Sequence, residues 1–304
     1  MFVNSFRAGL SALKKRPGLV VLTYAVNLCV AFILALPIYM ALSDVVGPSG
    51  FGSDLVRQFD VVLWADIMDK ASIALSALWA QLFWMIPLYL VWKAGLSVGL
   101  IHALRDGGVR SFWAGVGRYA ARGVGLGLLY GLIVLVWLGG IILLSVGLAV
   151  VWNGEVGAFW IFFVLAPVLI VLGLAFIDLL HDYGRIALVL EEKKIARAFR
   201  TGLVWPFKHR SAFPLYGAWF LLAAVALAMP TLLDINLRGI WGLFFLQQIF
   251  LFLRAAATVG WFGSEVALFE AVRLREAPLI ATEESAPADD ASMGKAPGVG
   301  PAPA

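Results

Sequence analysis

The chain has 304 residues, of which 62% are hydrophobic and 14% charged, and its mean hydropathy is +0.92. A water-exposed globule carries about 25% charged residues, so this composition excludes an ordinary soluble domain and makes lipid the solvent for much of the surface. The net charge of +4 sits in short segments between apolar runs rather than in one patch, which argues against nucleic acid as a partner, and the single cysteine, Cys29, excludes an internal disulfide and any multi-cysteine metal site within one chain.

A helix needs roughly 20 apolar residues to cross the hydrocarbon core. In chain order, runs of that kind predict spans over 18–42, 71–92, 123–150, 158–177, 213–229 and 240–262. The expected fold is therefore all-α, a polytopic bundle of six transmembrane helices filling residues 1–276. The first apolar run is longer than the ~7–15 residues of a signal-peptide core, and further spans follow it, so it reads as a membrane helix. Pro37, Pro87 and Pro167 fall within or near the ends of these runs and predict local kinks.

Between the first two spans, the segment 43–70 carries Asp44, Asp54, Asp60, Asp66 and Asp69, and reads as an acidic solvated loop. The connections alternate sharply in cationic content. Nineteen Lys and Arg residues fall before the first span, in the segments 93–122 and 178–212, and after the last span. Only Arg57, Lys70 and Arg238 fall in the alternate connections, and only Arg254 falls within a span. Basic residues mark the cytoplasmic side, so both termini are expected inside a multi-pass protein of the cell membrane, a bacterial inner membrane. From residue 277 the composition turns to Glu, Ala, Pro, Ser and Gly. Such a tail buries too little apolar area to offset its ordering entropy, and 277–304 is expected to be disordered.

Three segments open alike: Phe6-Arg-Ala-Gly9, Phe112-Trp-Ala-Gly115 and Phe199-Arg-Thr-Gly202. Each is followed by basic residues, then by an apolar span with a tyrosine near its start (Tyr24, Tyr130, Tyr216). All three precede an outward span, which predicts a threefold repeat of an interfacial helix plus a helical hairpin. In the first copy Phe2, Phe6, Leu10 and Leu13 form an apolar stripe beside Arg7, Lys14, Lys15 and Arg16. A helix of that pattern lies at the headgroup boundary of the anionic cytoplasmic leaflet. Gly123, Gly127 and Gly131 recur every four positions, as do Gly95, Gly99 and Ala103. Such rows let helix backbones approach closely, within the chain, to a second copy, or to another membrane protein.

Arg254 stands well inside the last span, where a charge costs at least ~2.5–3.5 kcal/mol and needs a partner, a cavity or a route to the interface. Gln247, Thr258 and Glu265 share its helical sector, but Glu265 is roughly 16 Å further along. A partner must come from another helix, and Asn27 and Asp178 are the candidates. Together these six form the candidate intramembrane polar site.

No reaction chemistry emerges. His102, His181 and His209 lie in basic segments and read as water-facing, and His181-Asp182 lacks the further ligands of a metal phosphohydrolase. Glu191, Glu192, Lys193 and Lys194 read as a solvated face. No phosphate loop, His-Glu-x-x-His or nucleophile elbow occurs. The expectation is a protein without catalytic residues, metal or cofactor.

The stretch from Asp182-Tyr-Gly-Arg through Glu191-Glu192 to Phe199-Arg-Thr-Gly202 resembles several poorly characterised bacterial six-span membrane families. The nearest is the membrane region that accompanies some glycerophosphodiester phosphodiesterases. In that family catalysis belongs to a separate soluble barrel absent from this chain, so the resemblance implies an accessory or structural role. The expected function is thus a non-enzymatic membrane scaffold or accessory component. The alternative is a small-molecule or lipid transporter with its site near Arg254 and Gln247.

Overall fold

The computed structural model describes residues 1–46, 62, 72–152, 154–232 and 240–284. Most of the acidic loop, the connection around Arg238 and the positions from 285 onward lie outside the described residues. Every regular element among the described residues is helical: α1 (Phe2–Lys15), α2 (Pro17–Val46), α3 (Ser72–Asp106), α4 (Gly108–Trp152), α5 (Glu155–Trp160), α6 (Ala166–Leu190), α7 (Ile195–Lys208), α8 (Ala212–Leu232) and α9 (Ile240–Glu284). The chain divides into a first unit, Met1–Leu268, and a second, Phe269–Ala304. In the second, the described residues are helical to Glu284. Helix therefore continues past residue 276, where the disordered tail was expected to begin, because Ala277, Leu279, Ile280 and Ala281 still favour it.

Local chemistry explains where the helices break. Lys14 and Lys15 occupy the last turn of α1, where cations complement the helix dipole. Pro17 then opens α2, at a position where its missing N–H costs nothing. Between α3 and α4, Gly107 and Gly108 have φ of 86° and 88°, a left-handed conformation that favours glycine. Arg16 donates to the Ala103 carbonyl at 2.6 Å and to that of Leu104, so it satisfies the otherwise orphaned end of α3. Between α5 and α6 the chain widens into a π-helical stretch, Ile161–Leu165, immediately before Pro167, which lacks the donor an α-helix would use.

Five helical segments are long and apolar enough to cross a membrane: Pro17–Pro37, Phe83–Asp106, Gly108–Trp152, Glu155–Leu190 and Phe244–Glu276. The segment Ala212–Ala226 is apolar but shorter. These helices fit an integral membrane protein of the multi-pass kind. At 45 residues, α4 is roughly 68 Å long, more than twice the ~30 Å hydrocarbon core. It holds together what the sequence pattern divides into a basic connection and a span. Likewise α6 runs on through 178–190, which the charge pattern had placed in a loop, and those residues are mostly buried.

The densest packing lies at the end of the bundle that carries the basic residues. There Val98, Leu100 and Ile101 of α3, Ile186 to Val189 of α6 and Val259 and Val266 of α9 are all buried. Away from that end, large apolar side chains face outward, with Phe83 84% and Leu143 76% exposed. Such faces are tolerable in lipid and untenable in water.

Three glycine crossings organise the dense end. A Cβ at Gly115 of α4 would stand 3.2 Å from the Gly99 Cα of α3. One at Gly202 of α7 would stand 2.9 Å from the Gly184 Cα of α6. One at Gly263 of α9 would stand 3.4 Å from the Gly9 Cα of α1, while Gly9 itself presses on Ser264 and the Gly260 carbonyl. Gly95 and Gly123 also face neighbouring side chains, on α4 and α3 respectively, whereas Gly127 and Gly131 meet nothing within 4 Å.

These spacings predict unequal responses to a single methyl group. Gly202→Ala, which drives a Cβ into the Tyr130 hydroxyl, the Leu180 carbonyl and Gly184, should destabilise by about 1–3 kcal/mol, the usual cost of overpacking. Gly127→Ala fills open space and should be neutral or gain up to about 1 kcal/mol of helix propensity. Thermal unfolding of the purified variants in one detergent separates the two outcomes.

Candidate functional site: a buried ionic cluster

On α6, Asp178, Asp182 and Arg185 are spaced i, i+4 and i+7, so all three project from one face of the helix. The side chains of Asp182 and Arg185 are 4% and 5% exposed and form an ion pair. Asp178, 44% exposed, stands 3.5 Å from the same guanidinium nitrogen and marks the rim of the cluster. From α8 the Tyr216 hydroxyl donates to Asp178 Oδ2 at 3.2 Å.

The third wall is α9. The Arg185 guanidinium lies 5.4 Å from the centroid of the Phe262 ring, a cation–π contact. Glu265, fully buried, accepts from Trp261 Nε1 at 2.9 Å through Oε1. Its Oε2 has no hydrogen-bond partner, nor has Arg185 Nε. Asp182, Asp178 and Arg185 all lie within electrostatic reach of Glu265. The Tyr216 and Trp261 rings meet edge-on at 4.7 Å and join α8 to α9 beside the charges. One turn away, Trp219 donates to Ser264 Oγ at 2.9 Å, and the Phe6 ring of α1 packs 5.2 Å from Trp219.

The cluster thus sets three carboxylates against one guanidinium. In a medium where an unpaired buried ion costs several kcal/mol, Arg185 holds together what its neighbours would otherwise repel. Among the described residues no three His, Cys, Asp or Glu side chains are arranged to hold a metal ion. The contacts observed are charge pairing on α6 and polar and ring contacts that link α6, α8 and α9.

The structure sorts the six residues of the expected polar stripe into two groups. Asp178 and Glu265 meet around Arg185. Arg254, Gln247 and Asn27 are exposed side chains elsewhere, and Thr258 donates to the Arg254 carbonyl of its own helix at 3.0 Å. Beside Gln247, it is Gln248 that bridges helices, accepting from the Tyr24 hydroxyl of α2 at 2.7 Å. His181, expected to face water, stacks on Tyr130 at 4.7 Å with its Nε2 buried. Residues Glu191 to Lys194 do more than face solvent, because Glu192 pairs with Arg118 of α4 at 3.0 Å. The residue that sequence reasoning missed is Arg185, which had been counted with the loop cations. Its signal was present in the Asp-x-x-x-Asp-x-x-Arg spacing, which only becomes a face once the segment is known to be helical.

No family model matches the chain, and neither a curated protein nor a solved structure resembles it closely enough to be reported.

Removing one partner of this pair should cost about 3–5 kcal/mol, because the other charge remains buried alone. Arg185→Met should therefore lower thermal stability strongly. The double change Asp182→Leu with Arg185→Met should recover part of the loss, since the apolar pair needs no countercharge while Glu265 and Asp178 still lose their cation. Unfolding midpoints of both variants, with folded yield as a second readout, test this.

Proposed function

We propose that this chain is a non-enzymatic scaffold or accessory component of a bacterial inner membrane. In this reading it crosses six times, with α8 as the sixth span, and both termini are cytoplasmic. It repeats one unit three times: a Phe-x-x-Gly helix at the interface, a span outward and a span back. The observation that carries the reading is the triple glycine crossing, in which Gly115, Gly202 and Gly9 of the three motifs each seat on a glycine of another helix, Gly99, Gly184 and Gly263. Polar side chains at the same level go into joining helices, as with Arg16 on the α3 carbonyls and Tyr216 on Asp178. A partner would be another membrane protein or a second copy of the chain, reached through the exposed apolar faces.

A second reading is favoured by one feature. Glu265 is fully buried with an oxygen that nothing engages, which is the arrangement a small-molecule or lipid transporter would keep for a coupling group. It places the polar site around Glu265 and Arg185 rather than near Arg254 and Gln247.

Topology and role are tested separately. Reporter fusions at Lys15, Gly107 and Lys194 should report the cytoplasmic side, and fusions at Gly50 and Asn236 the opposite side. A fusion at Lys194 on the outer side would sink the six-span arrangement. For the role, the double change Asp182→Leu with Arg185→Met should support wild-type fitness in a strain lacking the native gene, provided its membrane level matches wild type. Lost fitness at normal level would instead favour transport.

A further inference from the structure

The elements that carry the three Phe-x-x-Gly motifs share a charge pattern. Between Phe2 and Lys15, between Gly108 and Gly123, and between Ile195 and Lys208 there is no Asp or Glu, and each segment holds three Lys or Arg residues. The buried side of each is taken up by its glycine crossing, through Gly9, Gly115 and Gly202. The opposite side is exposed and mixed in character.

On α1 the exposed residues Val3, Arg7, Leu10 and Lys14 follow one another at helical spacing. On α7 the exposed Arg197 and Arg200 precede the exposed Val204 and Phe207, which are 55% and 56% accessible. At the start of α4, Arg110 and Trp113 are exposed together. An apolar side chain beside a cation is poorly served by water, which the first avoids, and by hydrocarbon, which the second avoids. The boundary layer, with acyl carbons on one side and phosphates on the other, suits both.

We propose that these three faces are binding sites for anionic phospholipids, each holding a phosphate-bearing headgroup with net negative charge against its cations while the neighbouring apolar residues rest on the first acyl carbons. The inference rests on the topology given above, which brings all three faces to the cytoplasmic leaflet, the anionic one. Charge complementarity selects the occupant. Nine cations with no acid among them repel one another, and a zwitterionic headgroup leaves that repulsion in place. From outside these segments Glu192 reaches Arg118, while the exposed Arg7, Lys14, Arg110, Arg197 and Arg200 remain to face an anion.

The test uses the full chain in detergent, with phosphatidylglycerol or phosphatidylcholine added. Phosphatidylglycerol should raise the unfolding temperature by several degrees more than phosphatidylcholine does, and native mass spectrometry should show about three anionic lipids retained. Arg197→Gln with Arg200→Gln should remove one retained lipid, and adding Arg7→Gln with Lys14→Gln a second, each at least five-fold weaker in lipid titration. Arg254→Gln, an exposed cation away from these faces, should change nothing. Equal responses to both lipids would overturn the proposal, as would unchanged retention in the four-residue variant or an equal rise with inorganic phosphate alone, which would make the ligand a soluble anion. A variant whose unfolding temperature in phosphatidylcholine falls below wild type is replaced by Arg197→Lys with Arg200→Lys, which must keep the lipid preference. The topology is read independently, by labelling a cysteine placed at Asn4 in a Cys29→Ser background. Labelling from the outer side would sink the topology, whereas inner-side labelling without a lipid preference would sink the lipid sites alone.

Discussion

Helices in a bilayer gain little by hiding apolar surface from one another, because the acyl chains around them are equally apolar. What holds a bundle together is then close backbone approach, with the dispersion contacts it allows, and polar locks between helices. In this chain the first of these is concentrated at three points, Gly99 with Gly115, Gly184 with Gly202, and Gly9 with Gly263. Any side chain at these positions would hold the helices apart and forfeit a share of the contacts, since dispersion weakens sharply over even half an ångström. The rest of the dense end is built outward from these crossings.

The ionic cluster follows from the same geometry. Arg185 comes directly after Gly184, and Glu265 stands two residues after Gly263. Two of the three crossings thus bring charged neighbours towards a common interior, where Arg185 offsets part of the carboxylate charge through its pair with Asp182. Around the remaining crossing the neighbours of Gly99 are Val98 and Leu100, both fully buried. Polar groups there are engaged differently: His102 reaches Ser111 and Asp106, and Arg16 closes the end of α3. The three crossings therefore share a backbone arrangement but differ in what surrounds it. At the common interior the locks are ionic, and around Gly99 they are contacts to the main chain, a hydroxyl and the Asp106 carboxylate.

Hydropathy made the apolar helices legible, because length and composition suffice where lipid is the solvent. The motif glycines Gly9, Gly115 and Gly202 are buried, as are glycines outside the motif such as Gly99, Gly184 and Gly263. The boundaries between span and connection were not legible. Charge counting sets 93–122 and 178–212 apart as connections that hold short interfacial helices, whereas α3, α4 and α6 carry continuous helix from the spans deep into both. A run of mixed polarity is read as solvated when in fact it is the buried side of a packed helix, and Arg185 was lost that way. Arg254 drew attention for the opposite reason: a lone cation among apolar residues stands out in a sequence, whereas a cation paired with nearby carboxylates looks ordinary. Glycines behave alike. The row at Gly123, Gly127 and Gly131 is regular in sequence, but only Gly123 meets a neighbouring helix, because each four-residue step overshoots a full turn by about 40° and the row drifts off the packed face that Leu126 and Tyr130 continue.

The concentration of packing at one end also bears on how such a chain tolerates change. Outward-facing residues such as Phe83, Leu132, Leu143 and Phe163 are exposed, and in lipid one apolar side chain would replace another there at little cost. At the crossings and in the ionic cluster the constraint is steric and electrostatic at once, and a conservative replacement such as Arg to Lys loses the planar fork that meets two carboxylates. Selection would then leave a short set of fixed positions within long stretches that drift while keeping only their hydrophobicity. Drift of that kind erases similarity faster than it erases the fold.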